Sequence, residues 1–418
     1  MTHSPPASRP LQLWLAVFLP FACGYFLSYL YRVVNAVIAP DLVRDVGLDA
    51  GALGLLTSVY FLTFAAFQLP LGILLDRYGP SRTEGLLLLV AALGAWVFSV
   101  ADSTAGLLLG RGLIGFGVSA CLMAAFKAYV QWFPSERLPR VNGFQMAAGG
   151  LGALSATQPV EFALQFTDWR GVFQVLALLT VGVAVLLLTV VPQRAQEQTG
   201  IGLGDQARGI ARVFTSRLFW RIAPWTVASQ ASFLSIQGLW SGPWLRDVGG
   251  FDRPGVASVL AAVSVAMVLG FIALGTLAQR VGRAGGRPLL VTDIGMLVFM
   301  ALQALLIVGL PGLAWPVWLL FGFFGTIGII PYAVLSQRFP VQLAGRVNTG
   351  LNLLVFVTAF AAQWAMGAII NLWPAGDGHY ALAGYRAAFG MMLALQLVAT
   401  AWYFLAGRDR DGDRPLAG

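Results

Sequence analysis

Five ionisable side chains fall inside long apolar runs: Arg32, Arg111, Lys127, Glu161 and Asp293. A charge near the centre of a bilayer is costly unless it is paired or wetted, so each is a candidate for function. Arg32 stands in the pattern Tyr25-x-x-x-Tyr29-x-x-Arg32-x-x-Asn35, which puts four polar groups on one face of a helix. A guanidinium offers a planar fork of donors that matches a carboxylate or phosphate, so the chemistry implied is recognition of a small anion. The plain alternative is an arginine that snorkels to the surface or pairs structurally.

Lys127 is the one lysine among 26 basic residues. An ammonium is a compact charge with three donors that can release its proton when desolvated, which an arginine cannot do. A lysine snorkelling at the membrane boundary is the alternative reading. At 1.5 Å per residue, Arg32 and Lys127 differ in height by about 20 Å. They form a ladder for a migrating anion or act separately, and Arg32 is the better candidate for the central site. Arg111 reads as structural or coupling hardware. Glu161 is a proton carrier or the partner of an arginine, the second being preferred, and Asp293 is expected to pair with the loop from Arg280 to Arg287.

Neutral polar groups extend the set. Tyr60, Phe64 and Gln68 recur four apart, Gln230 and Gln237 are seven apart with Trp240 and Trp244 on the same side, and Asn348 precedes Asn352 by one turn. Gln237 roughly mirrors Arg32 and is expected to bond the polar end of a substrate, with Asn352 nearby; Trp240 serves the site or the packing. No nucleophile–base pair or metal set appears, which argues against an enzyme. Cys23 and Cys121 lie in apolar runs and His3 and His379 in a tail and a loop, so no metal or cofactor is expected.

The elements that must position these residues are membrane helices. The chain has 418 residues, 58% hydrophobic and 11% charged, where soluble domains carry about 25% charge. Apolar runs long enough to cross about 30 Å of hydrocarbon recur from end to end without period-two alternation. Twelve are read, at 12–40, 51–75, 83–101, 105–131, 141–165, 171–192, 218–246, 254–279, 287–310, 314–338, 346–373 and 383–406. Residues 1–11 are short and polar, and no cleaved signal segment is expected. Eighteen arginines lie in the even-numbered connections and the tails, against five on the other side (Arg44, Arg170, Arg246, Arg253 and Arg386). The positive-inside rule then puts both termini in the cytoplasm. The net charge of +8 is a topology signal, spread over short loops, and does not form a nucleic-acid face.

The connection 193–217 divides the chain into two six-helix units, 1–192 and 218–418. Three echoes link them. The stretch Gly72 to Arg82, GILLDRYGPSR, has a degraded copy from Gly275 to Gly285, GTLAQRVGRAG. QWFPSERLPRVN at 131–142 returns as QRFPVQLAGRVN at 337–348. Trp169-Arg170 with Phe173 returns as Tyr385-Arg386 with Phe389. Duplicated units of this kind build many secondary transporters, with the substrate near the midplane.

The Gly72–Arg82 loop matches the signature between the second and third helices of the major facilitator superfamily, and Arg111-Gly-Leu-Ile-Gly115-Phe-Gly117 resembles its fourth-helix motif. The resemblance covers nearly the whole chain. The antiporter signature of the fifth helix is missing, since Gly149-Gly150-Leu151-Gly152 is followed only later by Pro159. Tyr29-Leu-Tyr-Arg32, with Pro40 and Leu42 beyond it, is similar to the first helix of the organic-anion and sugar-phosphate branches, where such an arginine binds the anionic group. The resemblance implies an all-α fold of twelve helices in two pseudo-symmetric bundles. It also implies a gating role for Gly72, Asp76, Arg77, Gly79, Arg82 and Arg280, with Asp76 holding the outward-facing state. Gly72 and Gly79 would allow close helix approach and a tight turn.

The expectation is a secondary transporter in a bacterial cytoplasmic membrane, acting as a monomer and importing a small organic anion, with proton coupling as an option. An exporter of amphipathic or siderophore-like compounds is the second reading. A transporter-like ligand sensor is the third.

Overall fold

The computed structural model describes residues 10–134, 137–193, 203–376 and 378–405, and these are mostly helical. The first half comprises α1 (10–46), α2 (Ala50–Tyr78), α3 (Pro80–Val100), α4 (104–132), α5 (138–163) and α6 (Trp169–Thr189). A surface helix α7 (Leu203–Phe214) follows. The second half comprises α8 (217–247), α9 (Arg253–Arg283), α10 (Pro288–Val308), α11 (314–338), α12 (Val341–Ile370) and α13 (Leu382–Leu405). A short hairpin, β1 (Pro374–Gly376) with β2 (His379–Tyr380), joins the last two. This is the twelve-helix, two-bundle architecture expected. Arg9, Arg194, Arg408, Arg410 and Arg414, residues 135–136 of the second echo and the start of the 193–217 connection lie outside the described residues.

Ten helices among the described residues are long and apolar enough to cross a membrane. The other two spans, α5 and α8, carry Arg140, Asn142 and Gln145, and Arg217, Arg221 and Gln230, and both border the space between the halves. They lose apolar character because one face meets that space instead of lipid. By contrast α6 and α13 expose Leu178, Leu179, Leu397 and Val398, as helices facing hydrocarbon do.

The helix starts follow local chemistry. Asp49, Ser103, Asp168 and Asp252 cap α2, α4, α6 and α9 by accepting from backbone N–H groups three residues on. Gly79 turns the chain between α2 and α3 at φ 83°, a conformation that favours glycine, and Pro80 opens α3. α3 therefore begins three residues before the expected boundary, which moves Glu84 from the edge of the span to its second turn. α3 and α4 cross in close contact: a Cβ on Gly94 would lie 2.8 Å from the Gly110 carbonyl oxygen, and one on Gly110 2.8 Å from that of Gly94. Small residues let membrane helices approach in this way.

The third echo has one physical job in both halves. Trp169 Nε1 donates to Asp45 Oδ2 at 3.1 Å, and the Tyr385 hydroxyl donates to Asp247 Oδ2 at 2.6 Å. Each acid closes the last turn of the first helix of its half. The arginine that follows the ring binds the carbonyls at the end of a neighbouring helix, Arg170 on Ser99 and Ala101, Arg386 on Ile307 and Val308. The acids belong to a fourth echo, Arg44-Asp45-Val46-Gly47 against Arg246-Asp247-Val248-Gly249.

The 193–217 connection is not wholly loop. Its described end folds as α7, which packs on α12 through Val213, fully buried, and Phe214 beside Gly350. The first echo is also asymmetric. Gly282, which aligns with Gly79, lies within α9, and the positive-φ turn comes at Gly285, φ 78°.

Candidate functional site

A cavity of about 210 Å³ lies where the halves meet. The first half lines it with Tyr25, Ser28, Tyr29, Arg32, Phe64, Gln68, Ser119 and Met146, the second with Gln230, Leu234, Tyr332, Asn348, Asn352 and Phe356. Three residues of the expected α1 face, Tyr25, Tyr29 and Arg32, meet the cavity, whereas Asn35 is buried outside the lining and donates to Thr57 at 3.0 Å.

Arg32 is 7% exposed, and its Nε is buried without a hydrogen-bond partner. Its guanidinium carbon lies 4.5 Å from the Tyr29 ring centroid, 5.6 Å from Phe64 and 5.3 Å from Phe356. Phe356 belongs to α12 of the other half, so the ring cage is complete only with the halves together. Rings hold a guanidinium by cation–π attraction without using up its N–H donors. Behind it sits Arg111, fully buried, donating to the Tyr31 carbonyl at 2.7 Å with its carbon 4.9 Å from the Tyr60 ring. Tyr60 also lies 6.0 Å from the Arg32 guanidinium, so two cations share one ring. The polar rim beyond Arg32 includes Asn352, whose Oδ1 is 3.5 Å from the Tyr332 hydroxyl, and Asn348, whose buried Oδ1 has no partner. A cationic anchor with amides opposite is suited to an oxyanion with a polar body.

Other expected site residues fall elsewhere. Gln237 and Trp240 are buried outside the cavity lining. By the fourth echo Arg32 mirrors Leu234 and Ser28 mirrors Gln230, both of which line the cavity, whereas Gln237 mirrors Asn35, one turn further on. Trp240 packs 3.4 Å from the position of a Cβ on Gly54, inside the seam between α2 and α12. Lys127 is also outside the lining, although Met123 and Phe126 beside it contribute. Its ammonium pairs with Asp76 of the loop motif, the two side chains 24% and 43% exposed. A clamp joining Arg32 and Lys127 on one ligand is therefore not what the structure presents.

Glu161 has an arginine partner, and it comes from the other half: Arg253 Nε donates to Glu161 Oε2 at 2.7 Å. Arg253 also forks onto both oxygens of Asp41. Gln158 donates to Ser258 at 3.0 Å and Asn371 to Asp49 at 3.1 Å, again between halves. All four contacts lie on the face opposite the arginine-rich loops, and there the halves are joined.

Among the gating residues, Gly79 makes the tight turn expected. Gly72 does not serve close approach, since a Cβ there would meet open space. Asp76 bonds within its own half. Arg77 lies 5.3 Å from the Tyr78 ring, and Arg82 and Arg280 are exposed. Two features escaped the sequence reading. Glu84 was passed over because the expected span of 83–101 set it at the membrane edge. The Asp41–Arg253 pair joins positions 212 apart in the chain, beyond the reach of any local pattern.

The model of the Major Facilitator Superfamily matches residues 21–363, and the chain belongs to that family. It is a multi-pass membrane transporter and not an enzyme. It is 27% identical over 301 residues to a probable sulfoacetate transporter of Cupriavidus necator, covering 66% of this chain and 69% of that one. It is 23% identical to the hexuronate transporter of Bacillus subtilis, covering 89% and 92%. Among solved structures, a bacterial homolog of the human lysosomal transporter Spinster superposes with a TM-score of 0.77 at 17% identity, over 98% of this chain and 100% of that one, which supports the fold.

Proposed function

We propose that this transporter imports a small organic anion bearing a carboxylate, sulfonate or phosphate, with Arg32 as the anchor of the anionic group. The observation that carries the reading is the Arg32 guanidinium in the cavity between the halves, caged by rings from both and holding an unpartnered donor. Named substrates of related proteins, sulfoacetate and hexuronate, are of this class. The arginine-rich face is read as cytoplasmic by the positive-inside rule. The structure is then the state sealed outside, with the Arg253 contacts as the outer lock. Rocking of the halves would break these contacts and move Phe356 away from Arg32, which opens the anchor to the outside. Asp76 would change from Lys127 to the opposite half as the inner face closes.

A second reading, transport of a larger amphipathic anion, is favoured by the apolar walls away from Arg32, which include Met123, Phe126, Met146 and Phe271.

A thermal-shift screen of the purified protein against hexuronates, sulfoacetate, sugar phosphates and amphipathic chelators separates the two. Uptake into proteoliposomes follows with the anion selected. Arg32→Ala is expected to weaken binding roughly ten- to a hundred-fold, the worth of one to two charge-assisted hydrogen bonds, with Arg32→Lys intermediate. Undiminished uptake by a folded Arg32→Ala protein would falsify the anchor.

A further inference from the structure

Glu84 is fully buried in the second turn of α3, and its carboxyl oxygens meet no hydrogen-bond donor apart from the Cys121 thiol. The helices around it supply no counter-ion. α1 presents Gly24, where a Cβ would collide with Glu84 Oε1, so the missing side chain makes room for the carboxyl. Cys23 lies beside Gly24 in that helix, and α4 contributes the Cys121 thiol and Tyr129. The Tyr129 hydroxyl is already engaged, donating to Gln145 Oε1 at 2.7 Å, and the Gln145 amide donates to the Phe21 carbonyl at 3.2 Å. α6 packs along α3 with Ala184 and Leu188 against Gly85, and its one ionisable residue, Arg170, is at the far end capping α3. The cations of α1 and α4 are occupied: Arg32 by its rings, Arg44 by Asp41 and Asp45, Arg111 by Tyr31, Lys127 by Asp76. A carboxylate charge sealed without a cation, and with only a weak thiol donor, is not sustained in such a place. What fits the nest is the neutral acid.

We propose that Glu84 is the site that binds the co-transported proton. This rests on the reading of the chain as an anion transporter. The nest shares its walls with the anion cavity. α4 is interrupted at residues 118–120, and just there Val118, Ser119, Leu122 and Met123 line the cavity while Cys121 meets Glu84. In α1, Tyr25, Ser28 and Tyr29 line the cavity while Gly24 meets Glu84. Two helix segments, one of them broken, are all that separates the acid from the anion. A shift of either segment on anion binding or release admits water to the carboxyl. The O–H bond then breaks, the proton passes to that water, and the carboxylate is left until a proton from the outer side restores the acid. One proton moving with a monoanion makes the cycle electroneutral.

The test begins without any anion. Infrared difference spectra of reconstituted protein at neutral pH should show the carbonyl stretch of a protonated carboxylic acid that is absent from Glu84→Gln. Glu84→Asp, which retains the acid, should shift the band without removing it, and it stands in if the glutamine variant does not elute as a folded monodisperse peak. The second arm imposes a gradient of about one pH unit, acid outside, on proteoliposomes. One coupled proton gives about tenfold anion accumulation. Wild type should reach it with the anion chosen by the thermal-shift screen, and Glu84→Gln should equilibrate without accumulating while still exchanging anion. A wild-type spectrum lacking the band, or a Glu84→Gln protein that accumulates as wild type does, overturns the proposal. A band that is present while no anion binds overturns the anion reading and leaves the proton site standing.

Discussion

Arg253 binds both carboxylate oxygens of Asp41, at 2.9 and 2.6 Å, from the opposite half of the molecule. With Glu161 on its Nε, this one arginine gathers two acids of the first half into the second. The side chain of Asp41 is 7% exposed and that of Arg253 36%, so the pair is partly shielded from water and salt. Charge-assisted forks of this geometry are the stronger kind of hydrogen bond.

Removing the fork should bias the molecule toward opening on that face. Arg253→Ala is expected to shift the balance of the two states by roughly 1–2 kcal/mol after allowance for screening, a five- to thirty-fold change. Spin labels at Gln165 and Ala375, exposed on that face in different halves, would report it as a longer-distance population. An unchanged distance distribution in Arg253→Ala and in Asp41→Asn would show that the fork is not a lock.

The pair of Lys127 and Asp76 makes a different prediction. Both side chains are partly exposed, so the pair itself contributes about 1 kcal/mol or less. Its importance would be in the cycle. Lys127→Ala should leave the affinity for anion unchanged, because the ammonium is engaged by Asp76 outside the cavity lining. Transport should slow, and exchanging the two charges (Asp76→Lys with Lys127→Asp) should recover part of it. Calorimetric titration of Lys127→Ala decides the point, and a large loss of affinity would return Lys127 to the substrate site.

The paired rings Trp169 and Tyr385 predict equal effects in the two halves. Trp169→Phe and Tyr385→Phe each remove one hydrogen bond to an acid at the end of a first helix. Each should cost about 1–3 kcal/mol, seen as comparable drops in melting temperature. Because Asp247 also accepts from His379 and the Tyr380 N–H while Asp45 has Arg44, a markedly larger loss at Trp169 would show that the second half carries a redundant network.

Fold and topology could be read early because they depend on local and repeated features. Apolar run length sets helix number, arginine placement sets the sidedness expected, and the echoes imply duplication. Arg32 was legible because a cation amid tyrosines at helical spacing has no cheap explanation inside an apolar run. The misplacements came where a drift of about one helical turn matters. Gln237 was matched to Arg32 without the fourth echo, and a span begun at 83 left Glu84 at the edge of the helix, one turn short of the depth at which the structure buries it.

By itself the sequence determined twelve spans, two related halves, a buried cation at Arg32 and the glycine turn at Gly79. Hydrophobic period and backbone sterics act over a few residues and need no partner. Only the tertiary structure decided that Lys127 belongs to Asp76, that Glu161 and Asp41 share Arg253, and that Phe356 completes the cage around Arg32. These pairings depend on where separate helices come to rest against each other. A charge in a low-dielectric bundle takes whichever partner that packing brings within reach, and spacing along the chain does not record which one it is.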